Sequence, residues 1–163
     1  MGMPNNKVGY VFMAFIKEFK EDISFHKRFY CIEGKLKFFS LLFLPSIYLV
    51  FVYRVYSALW RLGGPFKLLA KFFWFLSYLI FSCDISVKSK IIGPIIFPHP
   101  LAIVIGEGVI MKGDNVIYQG VTLGQNNGCY PKVSNSIIYP NCVICGNLDL
   151  DDRKVSALSF LKG

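Results

Sequence analysis

The 163-residue sequence predicts an α+β chain, with α-helices over residues 1–83 followed by a parallel β-helix of hexapeptide repeats over 84–163. Three observations carry that expectation. Ile105, Met111, Ile117 and Leu123 recur every six residues, with Val109, Asn115 and Val121 four places after the first three. A period of six is neither the 3.6 of a helix nor the 2 of a strand, and three such rungs close one turn of a triangular prism. Basic charge is concentrated in one half: eleven Lys/Arg stand against four Asp/Glu before residue 84, and seven against six after it. Finally, the apolar residues of the basic half fall at helical spacing, punctuated by Pro45, Gly63, Gly64 and Pro65.

Taken in order, residues 1–6 are a polar lead. A helix is expected over 7–22, where Val8, Val11, Phe12, Phe15 and Phe19 form one apolar stripe. Residues 23–34 read as a basic linker ending at Gly34, with His26 solvated. An uncharged run covers 38–53, and Pro45 within it ends one helix or restarts it as a first-turn residue. Beyond it, Tyr48, Val52, Val55, Leu59 and Leu62 make an apolar face, while Arg54, Ser57 and Arg61 make a polar one. Gly63-Gly64 stops that helix, and the next runs from Pro65 to about Cys83. The uncharged runs at 38–53 and 72–83 are 16 and 12 residues long, short of the roughly 20 that span a bilayer. These helices therefore pack against one another and the β-helix, or lie in a lipid interface.

From Ile85 the period becomes six. Val87, Gly93 and His99 continue the register of Ile105, and Ile91, Phe97 and Ile103 occupy the second register. Glycines 106, 108, 113 and 120 fall at or near the corners, where a tight turn often needs positive φ. Residues 124–131 break the pattern as an excursion loop, and the repeat resumes at Val133 and Tyr139. Repeat arrays carry end caps, and no closing element is evident before Gly163, so the domain reads as short at its C-terminus.

Composition narrows the setting. Five cysteines, an odd number, with no apolar leader and cleavage site ahead of them, point to a reduced, cytoplasmic chain. A net charge of +8 without a nucleic-acid recognition module excludes nucleic acid as the expected partner and favours peripheral contact with anionic headgroups at the inner face of the cytoplasmic membrane. Cys142-x-x-Cys145 with Cys129 offers three of the four ligands that structural zinc needs, so no metal is expected. Gly106-x-Gly108 is no dinucleotide fingerprint, because Met111 holds the third glycine's place.

Asp84-Ile85, His99 fifteen residues later, Ile-Val-Ile-Gly-Glu-Gly at 103–108, Gln-Gly-Val-Thr-Leu-Gly at 119–124 and Pro131-Lys132-Val133 together resemble the serine acetyltransferase branch of the hexapeptide-repeat acyltransferases. The resemblance covers about residues 84–150. It implies a left-handed β-helix assembled as a homotrimer, or a dimer of trimers, with sites between subunits. It implies acetyl-CoA as co-substrate, His99 as general base and Asp84 as the carboxylate that orients it. A neutral imidazole, with a reference pKa of about 6.5, is suited to take a hydroxyl proton near neutrality. With one turn every 18 residues, Asp84 and His99 are expected on adjacent faces of the coil. Gly124, Gln125, Pro140 and Asn141 match the coenzyme A-binding places, and Pro98, Gln119 and Tyr130 line the acceptor side.

The acceptor itself is left between two classes. In serine acetyltransferases an aspartate precedes the catalytic histidine and an Arg-His pair precedes the Pro-Lys step. Here those places hold Pro98, Cys129 and Tyr130. An amino acid's two charges would go unpaired in such a pocket, which is costly. The resemblance to short acetyltransferases of surface-polysaccharide synthesis then implies a sugar hydroxyl, free or lipid-linked, with L-serine as the alternative and a non-catalytic trimeric scaffold as the competing class.

Overall fold

A computed structural model describes residues 7–34 and 39–163; the polar lead at 1–6 and the start of the uncharged run at 38 lie outside the described residues. Among the described residues, three α-helices precede the coil: α1 (Lys7–Phe29), α2 (Pro45–Leu62) and α3 (Phe66–Phe81), with a short 3-10 turn at Phe39–Phe43 before α2. Helix α1 runs seven residues beyond the expected end at Asp22, because the supposed linker continues as helix. Pro45 starts α2 at its first turn, where its missing N–H costs nothing. Ser82, at φ 51°, ends α3 in the left-handed conformation with its N–H on Tyr78 O.

Thirteen short strands follow, each paired in parallel with its equivalent one turn away. Face 1 is β1 (Asp84–Ile85), β4 (Val104–Ile105), β7 (Thr122–Gly124), β10 (Val143–Cys145) and β13 (Phe160–Lys162). Face 2 is β2 (Lys90–Ile92), β5 (Ile110–Lys112), β8 (Lys132–Ser134) and β11 (Asp149–Asp151). Face 3 is β3 (Ile95–Ile96), β6 (Asn115–Ile117), β9 (Ile137–Ile138) and β12 (Lys154–Val155).

The prism is less regular than its sequence period. One turn has the expected 18 residues, with Ile105 opposite Leu123. The turn before it has 20, with Ile85 opposite Ile105 and Ile91 opposite Met111. The first coil therefore points Ile85, Ile91 and Phe97 inward, all nearly or fully buried. Val87, Gly93 and His99 do not share the inward register of Ile105. Two extra residues between Phe97 and Ile105 absorb the difference, and the period hides them because Ile103 and Ile105 are both aliphatic. After the loop the buried residue is Ile138, not Tyr139, which is 37% exposed. That rung has five residues.

Corner glycines divide into two kinds. Gly113 and Gly120 have φ of 63° and 68° and align with Gly93, Asn135, Ala102 and Asn141, all at positive φ. Stacked left-handed residues thus turn two of the three corners. Gly106 and Gly108 are absent from the positive-φ set. Their lack of a side chain serves contact instead: a Cβ on Gly108 would meet Tyr130 Cδ2 at 2.1 Å, and one on Gly106 would meet Tyr130 Cε1 at 3.0 Å.

The helices close the open edge of the first coil. An edge strand exposes backbone groups that must find partners. Tyr56 Oη donates to Ile85 O at 2.8 Å, and Tyr53 Oη donates to Ser89 O at 3.1 Å while accepting from Ile91 N. Arg54 donates to Ile91 O and Gly93 O, both at 2.7 Å. Asp22 Oδ1 accepts from Ile95 N, and Ser46 Oγ accepts from Phe97 N. Arg54 is consequently 1% exposed, not part of a solvated polar face. Burial works against its charge, but the hydrogen bonds and charge of Asp22 outweigh it and hold the guanidinium above its ordinary value. Burial also pushes the Asp22 carboxyl up, which argues the other way. The two-toothed contact, at 2.8 and 3.0 Å, and the third bond from Ile95 decide for an ion pair.

His26 corrects another expectation, since it is fully buried on α1. Its Nδ1 lies 2.7 Å from Asp22 O, and its Nε2 lies 2.8 Å from Ser46 Oγ. Because Ser46 Oγ already accepts from Phe97 N, its hydroxyl proton is free to point at Nε2. The neutral ring protonated at Nδ1 therefore satisfies every group. With the proton on Nε2 instead, the bare Nδ1 would face the Asp22 carbonyl, acceptor against acceptor. Burial, opposed by the bond to Asp22 O, lowers the His26 pKa. The native chain then binds fewer protons than the unfolded chain just below pH 6.5, so stability is whole above that pH and declines as pH falls toward the lowered native value. Urea unfolding at pH 7.5 and 5.5 is expected to show a loss that His26→Gln removes. An equal loss in both proteins would refute the assignment.

Candidate active site

His99 sits where face 3 turns into face 1, on the two-residue enlargement of that corner. The segment 97–102 is held at both ends, by Phe97 N donating to Ser46 Oγ at 3.1 Å and Ala102 N donating to Ser82 O at 3.1 Å, and turns on itself through Leu101 N to His99 O at 2.8 Å. Phe97 anchors it in the core. The enlargement carries His99 out of the wall, and its ring is exposed.

Asp84 opens face 1 at the same corner, one coil earlier. Its N–H bonds Ile103 O at 2.8 Å, fixing it beside the segment that carries His99. Its carboxylate is half-buried and accepts from Trp74 Nε1 of α3 at 3.0 Å. Sequence and fold thus bring the two residues to one corner. No hydrogen bond joins carboxylate and imidazole within the single chain.

Three further residues share this corner. The His99 ring lies 6.2 Å from Tyr118, and Tyr118 stacks on Tyr139 at 5.4 Å, so one ring from each of three successive coils forms a column. Gln119, next to Tyr118, holds the one buried side-chain oxygen, Oε1, left without a hydrogen-bond partner among the described residues. An unpaired buried acceptor costs roughly 1–3 kcal/mol, so a donor from a ligand or a second copy would be favoured there. Pro98, Pro140 and Asn141 lie at the same corner. Asn141, at φ 59°, lays its Oδ1 where a Cβ of Gly120 would stand, 2.0 Å away.

The remaining expected residues lie at the far end of face 1. Gly124 ends β7, and Gln125 begins the loop, which a pair of hydrogen bonds between Asn126 and Cys129 pinches shut. Tyr130 lies over Gly106 and Gly108 at that corner, away from His99. One chain therefore does not gather all the residues matched to acceptor and coenzyme. A groove of about 450 Å³ runs along face 1 beneath α3, lined by Trp74, Asp84, Val104, Gly106 and Lys71. A larger cleft of about 700 Å³ between α1 and the opposite corner contains none of these residues, and across it Arg28 is bonded to Asp114 at 3.0 Å.

Trp74 and Tyr118 were not among the residues expected at the site, and Tyr139 was expected inside the coil, where Ile138 stands instead. Tyr118 was legible as the outward neighbour of an inward Ile117; Tyr139 was hidden by the five-residue rung. The cysteines are free. Cys142 Sγ donates to Ser156 O inside the coil, and no group of three His, Cys, Asp or Glu among the described residues is placed to hold a metal ion.

Helices that cap a parallel prism of hexapeptide repeats define a fold class, the helix-capped parallel β-helix. Comparison with known proteins refines it. No protein-family profile matches the chain. It is 32% identical over 115 residues to a serine acetyltransferase of Haemophilus influenzae, covering 68% of this chain and 42% of the relative. It is 33% identical over 110 residues to one of Buchnera aphidicola, covering 64% and 39%. The chain thus spans about two fifths of the length of these curated relatives. Among solved structures, a serine acetyltransferase in complex with CoA superposes with a TM-score of 0.79 at 28% identity, covering 95% of this chain and 66% of that one. The Vibrio cholerae serine acetyltransferase gives 0.78 at 26%, covering 95% and 62%. The chain is thus serine acetyltransferase-like in sequence and shares the left-handed β-helix fold of those solved structures.

Proposed function

We propose that the chain is an acetyl-CoA-dependent O-acetyltransferase in which His99 takes the proton of an acceptor hydroxyl. The observation that carries this reading is the placement of His99, exposed on an enlarged corner, one coil from Asp84 and beside the unpaired Gln119 oxygen. As the hydroxyl oxygen attacks the thioester carbonyl, its proton passes to the imidazole. The new C–O bond forms, the C–S bond breaks, and the proton leaves with the thiolate as free thiol. Asp84, steadied by Trp74, supplies negative charge near the imidazolium. Backbone N–H groups near the glycine corners are the available donors to the oxyanion. Gln119 Oε1 suits a hydroxyl of the acceptor.

Acetyl-CoA is supported as co-substrate by the CoA complex of the related serine acetyltransferase. The matched residues fit it only in an assembly. Pro140 and Asn141 lie at one end of face 1 and Gly124 and Gln125 at the other. A threefold ring of prisms brings one corner of each copy against a different corner of the next, so every interface is the same and the ring closes. Such a homotrimer would complete three sites.

A neutral acceptor, a sugar hydroxyl, is favoured by Pro98 and Cys129 standing where two charged groups would hold an amino acid. The naming of the relatives favours L-serine. Thiol release from acetyl-CoA by purified protein separates the readings. Stimulation by monosaccharides or nucleotide sugars and not by L-serine is the expected result. Stimulation by L-serine alone would move the assignment to the amino acid, and none by any hydroxyl would leave a scaffold.

A further inference from the structure

Helix α3 is packed with its small residues inward. Only Ala70 and Ser77 are buried, while Leu68, Phe72, Phe75 and Leu79 are 77%, 53%, 49% and 59% exposed. The spacing of 4, 3 and 4 places those four side chains in one stripe along the helix. Lys67, Lys71 and Tyr78 lie along one flank of that stripe, about 60–110° around the helix from it. That flank is on the side of the face 1 groove that Lys71 lines, with Lys67 Nζ 5.1 Å over the Trp60 ring. Large apolar side chains gathered outward, with long cationic side chains beside them, invert the pattern of a helix built to pack on a core.

We infer that this face of α3 docks on an anionic lipid bilayer, lying in its surface. The stripe supplies buried area in the acyl boundary, and the Lys67 and Lys71 stems allow their ammonium groups to stay at headgroup depth. The charge of the helical half agrees, since residues 1–83 carry eleven Lys/Arg against four Asp/Glu. Among the described residues no helix is long and apolar enough to cross a membrane, so an interfacial position is the one left to this stripe within a bilayer. A second copy is a poorer occupant. Antiparallel two-fold pairing of this face would bring its two lysine flanks to the same side, and parallel pairing is an outcome of the sedimentation test below. The inference does not rest on the catalytic reading.

Flotation of the full chain with phosphatidylcholine vesicles, with and without phosphatidylglycerol, tests it. Binding is expected with the anionic lipid and is expected to weaken with salt. At about 1 kcal/mol per basic residue, Lys67→Gln with Lys71→Gln is expected to lower partitioning roughly thirtyfold. Phe72→Glu with Leu79→Glu is expected to abolish it, with unchanged circular dichroism because both sites are exposed. His99→Ala is expected to bind as the unaltered protein does. No flotation at low salt, or flotation indifferent to both double variants, would overturn the inference. So would sedimentation showing that Phe72→Glu with Leu79→Glu splits an oligomer of the free protein.

Discussion

Arg54→Ala is expected to destabilise the protein by about 3–5 kcal/mol, a value typical of removing one partner of a buried ion pair. For a chain of this size that corresponds to a fall in Tm of roughly 6–20 °C. The residue is 1% exposed and makes four bonds: two to Asp22 and one each to Ile91 O and Gly93 O. Its loss leaves the buried Asp22 carboxylate without its cation and with Ile95 N as its one donor, and leaves two carbonyls of the first coil without donors. A buried ion pair exchanged whole for apolar residues is often tolerated. Here that exchange is expected to fail, because Arg54→Met with Asp22→Leu still leaves Ile91 O, Gly93 O and Ile95 N unpaired. Thermal unfolding followed by circular dichroism decides it. A double variant as stable as the parent would mean that the pair is mere ballast and that the helices do not close the edge through it.

The second large effect is expected at His99. Removal of a general base costs typically 10²–10⁴-fold, and His99→Ala is expected to lower kcat/KM for acetyl transfer by that factor with Tm little changed, since the ring is exposed and makes no hydrogen bond through its side chain in the single chain. Trp74→Phe is expected to give a smaller loss, because it frees the Asp84 carboxylate without removing its charge. Thiol release measured with each variant checks both. Full activity in His99→Ala would remove the histidine from the mechanism. A loss in Trp74→Phe as deep as that in His99→Ala would show that Trp74 does more than hold Asp84.

Much of this architecture was legible in the residues. A prism only one side chain wide demands an aliphatic residue at every rung, so Ile105, Met111, Ile117 and Leu123 announce it. Proline and glycine marked the helix ends for the same local reason: they restrict or free the backbone wherever they stand. Asp84 and His99 were legible as a spaced pair, but an 18-residue turn put them on adjacent faces, and the corner they share comes with the 20-residue turn. The slip at 97–105 was not legible, because an insertion between two isoleucines leaves the hydrophobic pattern intact.

What depended on tertiary structure was the role of the polar residues. Arg54, Asp22, His26 and Ser46 sit at spacings that on an isolated helix belong to solvent. They are buried because the first coil presents an edge of unpaired N–H and C=O groups, and no local pattern on α1 or α2 records that need. Likewise Gly106 and Gly108 look like turn residues but are small because Tyr130, more than twenty residues on, lies over them. The sequence by itself therefore determined the repeat and the helices, since each follows from near neighbours along the chain. The closed edge, the enlarged corner and the outward stripe of α3 were decided only when distant segments met, because burial and hydrogen bonding are properties of what lies opposite in space.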